Sequence, residues 1–254
     1  MLTFIVPAYN EEQNLPRLFA SIETAARDAG LPYRVIVVND GSTDGTVALV
    51  ERSARTMPLV LVSQPRNMGV GAAFDRGFRY ALESLEKDDL LATMEADNTS
   101  DLRILPRLIQ LVQVEGCDIA LASCYAHGGG VVGAGYIRRI LSAVGNGLLR
   151  LAFPLSVRTW SSFYRVYRGE AIKACYEVYG SRLIEEGGFV CMVEMLLKVQ
   201  ALGLKIAEVP MVLRPQNRLG SSKMKVIRNI IDYFRIMYRY RIGDGRHIWS
   251  VPQR

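Results

Sequence analysis

Apolar residues along this chain form short unbroken blocks, and the blocks alternate with stretches of helical spacing. Leu2–Ala8, Tyr33–Asn39, Leu59–Ser63, 89–94 and 118–123 are apolar and β-rich, so each predicts a strand buried on both faces. Between them, 11–29, 44–55, 71–85 and 101–115 space their apolar residues three and four apart, as at Leu15, Leu18, Phe19 and Ile22, and predict helices. Strand and helix in alternation predict an α/β fold: a mostly parallel, doubly wound sheet covered by helices. The rhythm breaks at Gly128-Gly129-Gly130, which places a soft boundary near Ala126. Residues 1–126 then form one α/β half and 127–254 a second half of one continuous domain. In the second half, 136–153 and 189–202 read as helical, 162–167 and 205–213 as extended, and 223–242 as a long closing helix.

The fourth block ends abruptly in Glu95-Ala96-Asp97. In an open α/β sheet, ligands bind outside the carboxyl ends of the strands. Two carboxylates at such an end suit Mg²⁺ or Mn²⁺, which take oxygen ligands and bridge to phosphates. A strand end with solvated acids is the plainer alternative. The first strand ends in Pro7-Ala8-Tyr9-Asn10-Glu11 and the second in Asn39-Asp40-Gly41-Ser42-Thr43-Asp44-Gly45-Thr46. Both ends fall on the same rim, where Tyr9 offers an aromatic face for a base and Glu11 and Asp40 offer acceptors for base N–H and ribose hydroxyl groups. Turn and cap chemistry accounts for the second segment equally well. Asn67-Met68-Gly69-Val70-Gly71-Ala72 opens the third helix, either as a phosphate-cradling loop or as a helix entry needing close backbone approach.

Composition narrows the chemistry. Half the residues are hydrophobic, enough for a large core. With only two histidines, His127 and His247, a Ser-His-Asp or His-rich metal mechanism is poorly supplied. The four cysteines have no metal-ligand spacing and read as reduced thiols of a cytosolic protein. The opening residues lack a basic leader, and no stretch reaches the length of a membrane span. A net charge of +6 fits nucleotides or acidic lipid surfaces. Nucleic acid is not expected, since no zinc finger, RRM-type signature or clear helix-turn-helix is present.

In combination, order and spacing, these motifs resemble the family 2 glycosyltransferases. Within that family they are most similar to the polyprenyl-phosphate sugar synthases, dolichol-phosphate mannose synthase included. The resemblance extends through Arg138-Arg139-Ile140-Leu141-Ser142 with Asn146, Ser162-Phe163-Tyr164-Arg165 and Gly220-Ser221-Ser222-Lys223-Met224. It implies the A-type glycosyltransferase fold, a nucleotide-diphosphate sugar donor and a divalent metal. By the same resemblance, Pro7, Ala8, Tyr9, Glu11, Asp40, Asn67, Gly71, Ala96 and Arg218 line the donor site, while Glu95, Asp97 and Thr99 hold the metal. Arg138, Arg139, Ser142 and Arg165 would receive an acceptor phosphate, and Asp97, Arg138 and Lys223 would act in the chemistry. The chain departs from the family pattern at Glu95 in place of Asp, Ala122-Ser123-Cys124 in place of Gly-Ser-Arg, Phe163 in place of Gly, and Thr159 in place of Asp.

The expected activity is inverting transfer of a hexose, mannose from GDP-mannose first, to a polyprenyl or dolichyl phosphate. Three alternatives stay open: a UDP-sugar donor such as UDP-glucose, a hydroxyl acceptor with Glu185, Glu186 or Glu194 as base, or a non-catalytic nucleotide-sugar scaffold. Arg228, Arg235 and Arg239 on one side of the last helix, with Ile230, Ile231, Phe234 and Met237 on another, suit a helix lying on a membrane. They suit a helix packed on the domain equally well. The expected place is peripheral, on the cytoplasmic face of a membrane, with a separate membrane-protein partner compatible.

Overall fold

The computed structural model describes residues 1–133, 136–153, 157–220, 226–245 and 248, with side chains throughout these except at 136–143 and 226–228. Its centre is a seven-stranded sheet in the order β3-β2-β1-β4-β7-β5-β8. Strands β1 (Leu2–Ala8), β2 (Tyr33–Asn39), β3 (Leu59–Ser63) and β4 (Leu90–Thr93) run parallel. So do β5 (Ile119–Ser123) and β8 (Ile206–Pro210). Strand β7 (Arg165–Arg168) is antiparallel to both of its neighbours, β4 and β5. Gly130–Val131 (β6) pairs with Val212–Leu213 (β9) in a separate two-stranded ribbon.

The strands are apolar throughout because each face feeds its own core. Phe4, Val6, Val35 and Val37 pack with Leu15, Leu18 and Ile22 of α1 (Leu15–Asp28) and with Leu105, Leu108 and Val112 of α4 (Leu105–Gln113). Ile5, Ile36, Val38 and Leu91 point the other way, to Phe74 and Phe78 of α3 (Val70–Leu82) and to α6 (Gly169–Tyr179) and α7 (Cys191–Ala201). Helix α2 (Thr46–Ser53) buries Val50 beside β2 and β3. Helices α5 (Tyr136–Ala152) and α8 (Val226–Arg241) pack on each other and add Leu149, Ile236 and Tyr240 to the α3–α7 side.

The fold is the expected doubly wound α/β class, with two additions. Strand β7 returns against the parallel direction because the chain re-enters the sheet from the rim, where Ala122 N–H donates to Tyr164 O at 2.9 Å. Helix α6, which is not among the elements expected from the sequence, starts at Gly169 beside the carbonyls of Glu86, Lys87 and Asp89, which leave no room for a Cβ. Helix α1 begins at Leu15, later than the spacing predicts, because Glu11 to Asn14 form a turn that belongs to the rim.

Candidate active site at the sheet rim

From β1 the chain winds outward to β2 and β3 and then returns to β4 on the other side of β1. The β1/β4 junction is thus the switch point where the loops diverge and leave a crevice. Tyr9 to Glu11 leave β1 on one side of it, and Glu95 to Asp97 leave β4 on the other.

The β1 and β2 loops are fastened to each other. Asn10 takes a positive φ of 53°, a turn conformation that Asn tolerates. Its amide donates to Ser42 Oγ at 3.0 Å, and its Oδ1 accepts from Thr43 N–H at 2.8 Å. Glu11 N–H donates to Thr46 Oγ1 at 2.9 Å, and Glu12 Oε2 accepts from Gly45 N–H at 2.6 Å. Pro7, Tyr9 and Glu11 are half-buried at this edge, Ala8 and Ala96 are buried, and Asn67 is exposed.

Asp40 binds the protein itself. Its Oδ1 accepts from Gln64 Nε2 at 2.9 Å and Met68 N–H at 2.7 Å, and its Oδ2 from Gly69 N–H at 3.0 Å. The carboxylate is buried, and burial lifts its pKa although the two amides oppose the shift. Asp40 therefore clamps the glycine loop to β2, and only Oδ2 keeps an acceptor direction for a ligand. Gly71 likewise departs from the phosphate-cradling expectation. Its N–H donates to Gly187 O at 3.1 Å, and a Cβ on it would collide with the Glu186 carbonyl. The close approach that these glycines permit is to the chain's own 186–187 turn.

Asp97 is buried at the end of the β4 loop. Thr99 donates to Asp97 Oδ1 through its N–H at 3.0 Å and its hydroxyl at 2.7 Å. Thr99 was expected as a metal ligand; instead it is buried and orients Asp97. Asp97 Oδ2 forms an ion pair with the guanidinium of Arg218, so a cation already faces the motif. Glu95, separated from Asp97 by the buried Ala96, is half-buried.

Arg165 also differs from expectation. It is fully buried, Nε donates to Ser162 O at 2.8 Å and Nη2 to Trp160 O at 3.0 Å. It holds the 160–165 turn and presents no charge to an acceptor. Asn146 supports the same turn by accepting from Trp160 N–H at 2.9 Å. Phe163, where the family pattern has glycine, fills the space between Phe74 and Phe189, with ring centroids 5.6 and 5.5 Å away. The Thr159 hydroxyl pairs with Ser123 Oγ at 2.7 Å. The side chains of Arg138, Arg139 and Ser142, and Lys223 as a whole, lie outside the described residues.

The three glutamates considered as bases are all partnered. Glu194, fully buried, accepts from Lys198 and Tyr240 at 2.7 Å each and from the amides of Glu185 and Glu186 at 2.9 and 2.8 Å. Glu185 and Glu186 pair with Arg239 at 3.0 and 3.2 Å. The sequence pattern does not reveal Asn14, a buried residue that joins the loops at positions 11, 98 and 219. The Asn-rich spelling of those loops is the signal that was available.

A mostly parallel sheet whose switch point carries paired acids defines an A-type glycosyltransferase fold. Glucosyl-3-phosphoglycerate synthase from Mycobacterium tuberculosis, solved in complex with Mn²⁺ and UDP-glucose, shares that fold at a TM-score of 0.62. It is 19% identical, with 100% of this chain and 80% of that one covered. Residues 3–175 match Glycosyl transferase family 2, and the chain belongs to that family of enzymes. It is 29% identical over 246 residues to a dolichol-phosphate mannosyltransferase of Pyrococcus furiosus, covering 96% of this chain and 64% of that protein. To an undecaprenyl-phosphate mannosyltransferase of Micrococcus luteus it is 32% identical over 221 residues, covering 87% of this chain and 86% of the relative.

Proposed function

We propose that the protein transfers a hexose from a nucleoside-diphosphate sugar to a polyprenyl or dolichyl phosphate, inverting the anomeric carbon, with Mg²⁺ or Mn²⁺ as cofactor. Mannose from GDP-mannose is the first assignment, in keeping with the two mannosyltransferase relatives. The observation that carries the reading is the oriented Asp97 carboxylate at the switch point, with one oxygen fixed by Thr99 and the other turned to a cation.

The donor set fits a divalent ion of this kind. Among the described residues no cluster of three or more acidic, histidine or cysteine side chains surrounds a point. Two carboxylates suit a hard cation that completes its shell with phosphate oxygens and water. Held by Asp97 and Glu95, such an ion would neutralise charge developing on the leaving diphosphate. Arg218 adds a cationic group on the segment beside it, and Lys223 is proposed to act in the same chemistry. Tyr9 and Glu11 take the nucleoside at the β1 end.

The bond that forms joins an acceptor phosphate oxygen to the anomeric carbon, and the bond that breaks joins that carbon to the diphosphate. An acceptor phosphate is already anionic near neutral pH, so positioning by Arg138, Arg139 and Ser142 replaces a general base. The pairing of Glu185, Glu186 and Glu194 with Lys198, Tyr240 and Arg239 favours this acceptor over a hydroxyl. A lipid acceptor sets the reaction at a membrane surface, here the cytoplasmic face, with room for a separate membrane-protein partner. No helix among the described residues is long and apolar enough to cross a membrane; α8, with exposed Ile231 and Phe234, is the proposed point of contact.

The test is incubation of the purified chain with labelled GDP-mannose, UDP-glucose and other UDP-sugars, a short polyprenyl phosphate and Mn²⁺. Chloroform-extractable label from GDP-mannose, abolished by a chelator, is the expected result. Label from a UDP-sugar would reassign the donor, water-soluble product would reassign the acceptor, and binding without product would make the chain a scaffold.

A further inference from the structure

The 214–219 segment lies over the Asp97 loop through several independent bonds. Arg214 N–H donates to Thr99 O at 2.9 Å, Asn217 Nδ2 to Asn98 O at 3.3 Å, and Arg218 pairs with Asp97. The central fastening is Asn14. Its Nδ2 donates to Leu219 O at 3.0 Å while its Oδ1 accepts from Leu219 N–H at 2.9 Å, a two-point match to one residue's main chain. The same Nδ2 donates to Glu11 Oε2 at 2.7 Å, and the Asn14 carbonyl accepts from Asn98 Nδ2 at 2.9 Å. One buried residue thus ties the three: its side chain joins the donor loop to the Arg218 segment, and its main-chain carbonyl holds the acidic-motif loop.

Asn14 occupies the N-cap of α1, where an Asn side chain ordinarily accepts from the helix's own first amides, yet it makes no such bond. The local stabilisation is forgone, and the amide is directed to Leu219, 205 residues away in sequence. That choice needs a reason beyond helix stability.

We infer that Asn14 is a positioning residue that clasps the 214–219 segment, so that Arg218 and a divalent cation compete for Asp97. The inference rests on the proposal that Asp97 holds the metal. Both cations need the same Asp97 oxygen. A lone metal ion must therefore displace Arg218, and its apparent affinity falls by the fraction of molecules in which the pair is open. A donor diphosphate offers Arg218 a new anionic partner, so it frees Asp97 as it binds. Metal and nucleotide then bind with positive coupling, and reciprocity requires each to tighten the other by the same factor. The device keeps the acidic motif from holding a cation when no donor is present.

The experiment measures Mn²⁺ binding to the full chain by loss of the free-ion electron paramagnetic resonance signal, with and without GDP or UDP. Wild type should bind Mn²⁺ weakly alone and more tightly, by roughly tenfold or more, with the favoured nucleotide. Asn14→Ala should tighten binding of Mn²⁺ alone by roughly tenfold and shrink the coupling by the same factor, leaving the share that direct phosphate bonding to the ion supplies. Arg218→Ala should do the same, and the two substitutions together should add little, because they open one pair. Arg218 is on a surface segment, so that variant answers the question even if Asn14→Ala does not fold. In turnover, Asn14→Ala should raise the KM for donor more than it lowers kcat. Unchanged Mn²⁺ affinity with full coupling in both variants would overturn the clasp. Unchanged Mn²⁺ binding in Asp97→Asn would instead overturn the metal assignment itself, a separate and recognisable outcome.

Discussion

Asp40 shows how one side chain at the rim can carry local architecture on which binding depends. Two main-chain amides of the glycine loop and the Gln64 amide all converge on its carboxylate. Asp40→Ala leaves the Met68 and Gly69 amides without an acceptor, and a part-buried donor left unsatisfied costs about 1–3 kcal/mol. The expected outcome is a loss of that order in urea unfolding, together with weaker nucleotide binding. Unchanged stability would mean that solvent replaces the clamp. At this scale the sequence exposes the chemistry of a position better than its geometry. Glu95 and Asp97 are legible because an apolar strand ends on them. Asn14, Thr99 and Arg165 are not, since their partners are main-chain groups or near neighbours, Leu219 being 205 residues away from Asn14. Only folding brings that pair together.

The α7, α8 and 185–187 segments form a unit held by charge. Lys198, almost fully buried, reaches Glu194 at 2.7 Å and Glu185 at 3.2 Å, and Arg239 of α8 completes the cluster. The adjoining Gly187 carbonyl receives Gly71 N–H, so the cluster is continuous with the glycine loop. Burial on its own would raise the Glu185 pKa, but Lys198 and Arg239 outweigh it and hold the carboxyl below the usual range. An acid with a depressed folded-state pKa stabilises the fold above its unfolded value, near 4.5, and loses that contribution as the pH falls through the lower folded value. Thermal melting should therefore fall steeply below about pH 4.5 in wild type and less steeply in Glu185→Gln, which starts lower at neutral pH. Identical pH profiles would remove Glu185 from the cluster's energetics. The existence of α7 and α8 is readable from apolar spacing, whereas Arg239, expected outward with Arg228 and Arg235, turns inward to these acids. Helix α6 carries helical apolar spacing at Ile172, Cys175 and Tyr179, but what fixes its start is the tight fit of Gly169 against the 86–89 carbonyls, which only the fold shows.

Across the whole molecule, the inward turn of Arg239 changes which face of α8 meets solvent. Ile231, Phe234, Tyr238 and Ile242 stand 60%, 55%, 64% and 66% exposed. Their spacing of three, four and four keeps them within about 80° of the helix circumference, a single stripe. Exposed Arg235 and Arg241 border it, while Ile230 and Met237, expected on the apolar face, are half-buried, Met237 against the core. Apolar residues in line with flanking guanidinium groups match the interface of an anionic bilayer. If α8 is the membrane contact, the wild-type chain should sediment with vesicles containing anionic lipid, less so with neutral ones, and release at high salt. Burying an Ile or Phe side chain is worth about 1.5–3 kcal/mol, so Ile231→Glu with Phe234→Glu should lower partitioning at least roughly tenfold. Both positions are exposed, so unfolding and nucleotide binding should stay as in wild type, and only turnover of a long-chain, vesicle-borne acceptor should fall. A short, water-dispersed polyprenyl phosphate should be used equally by both proteins, which separates loss of membrane contact from damage at the rim. Equal sedimentation of the variant and wild type would show that this stripe faces something other than lipid.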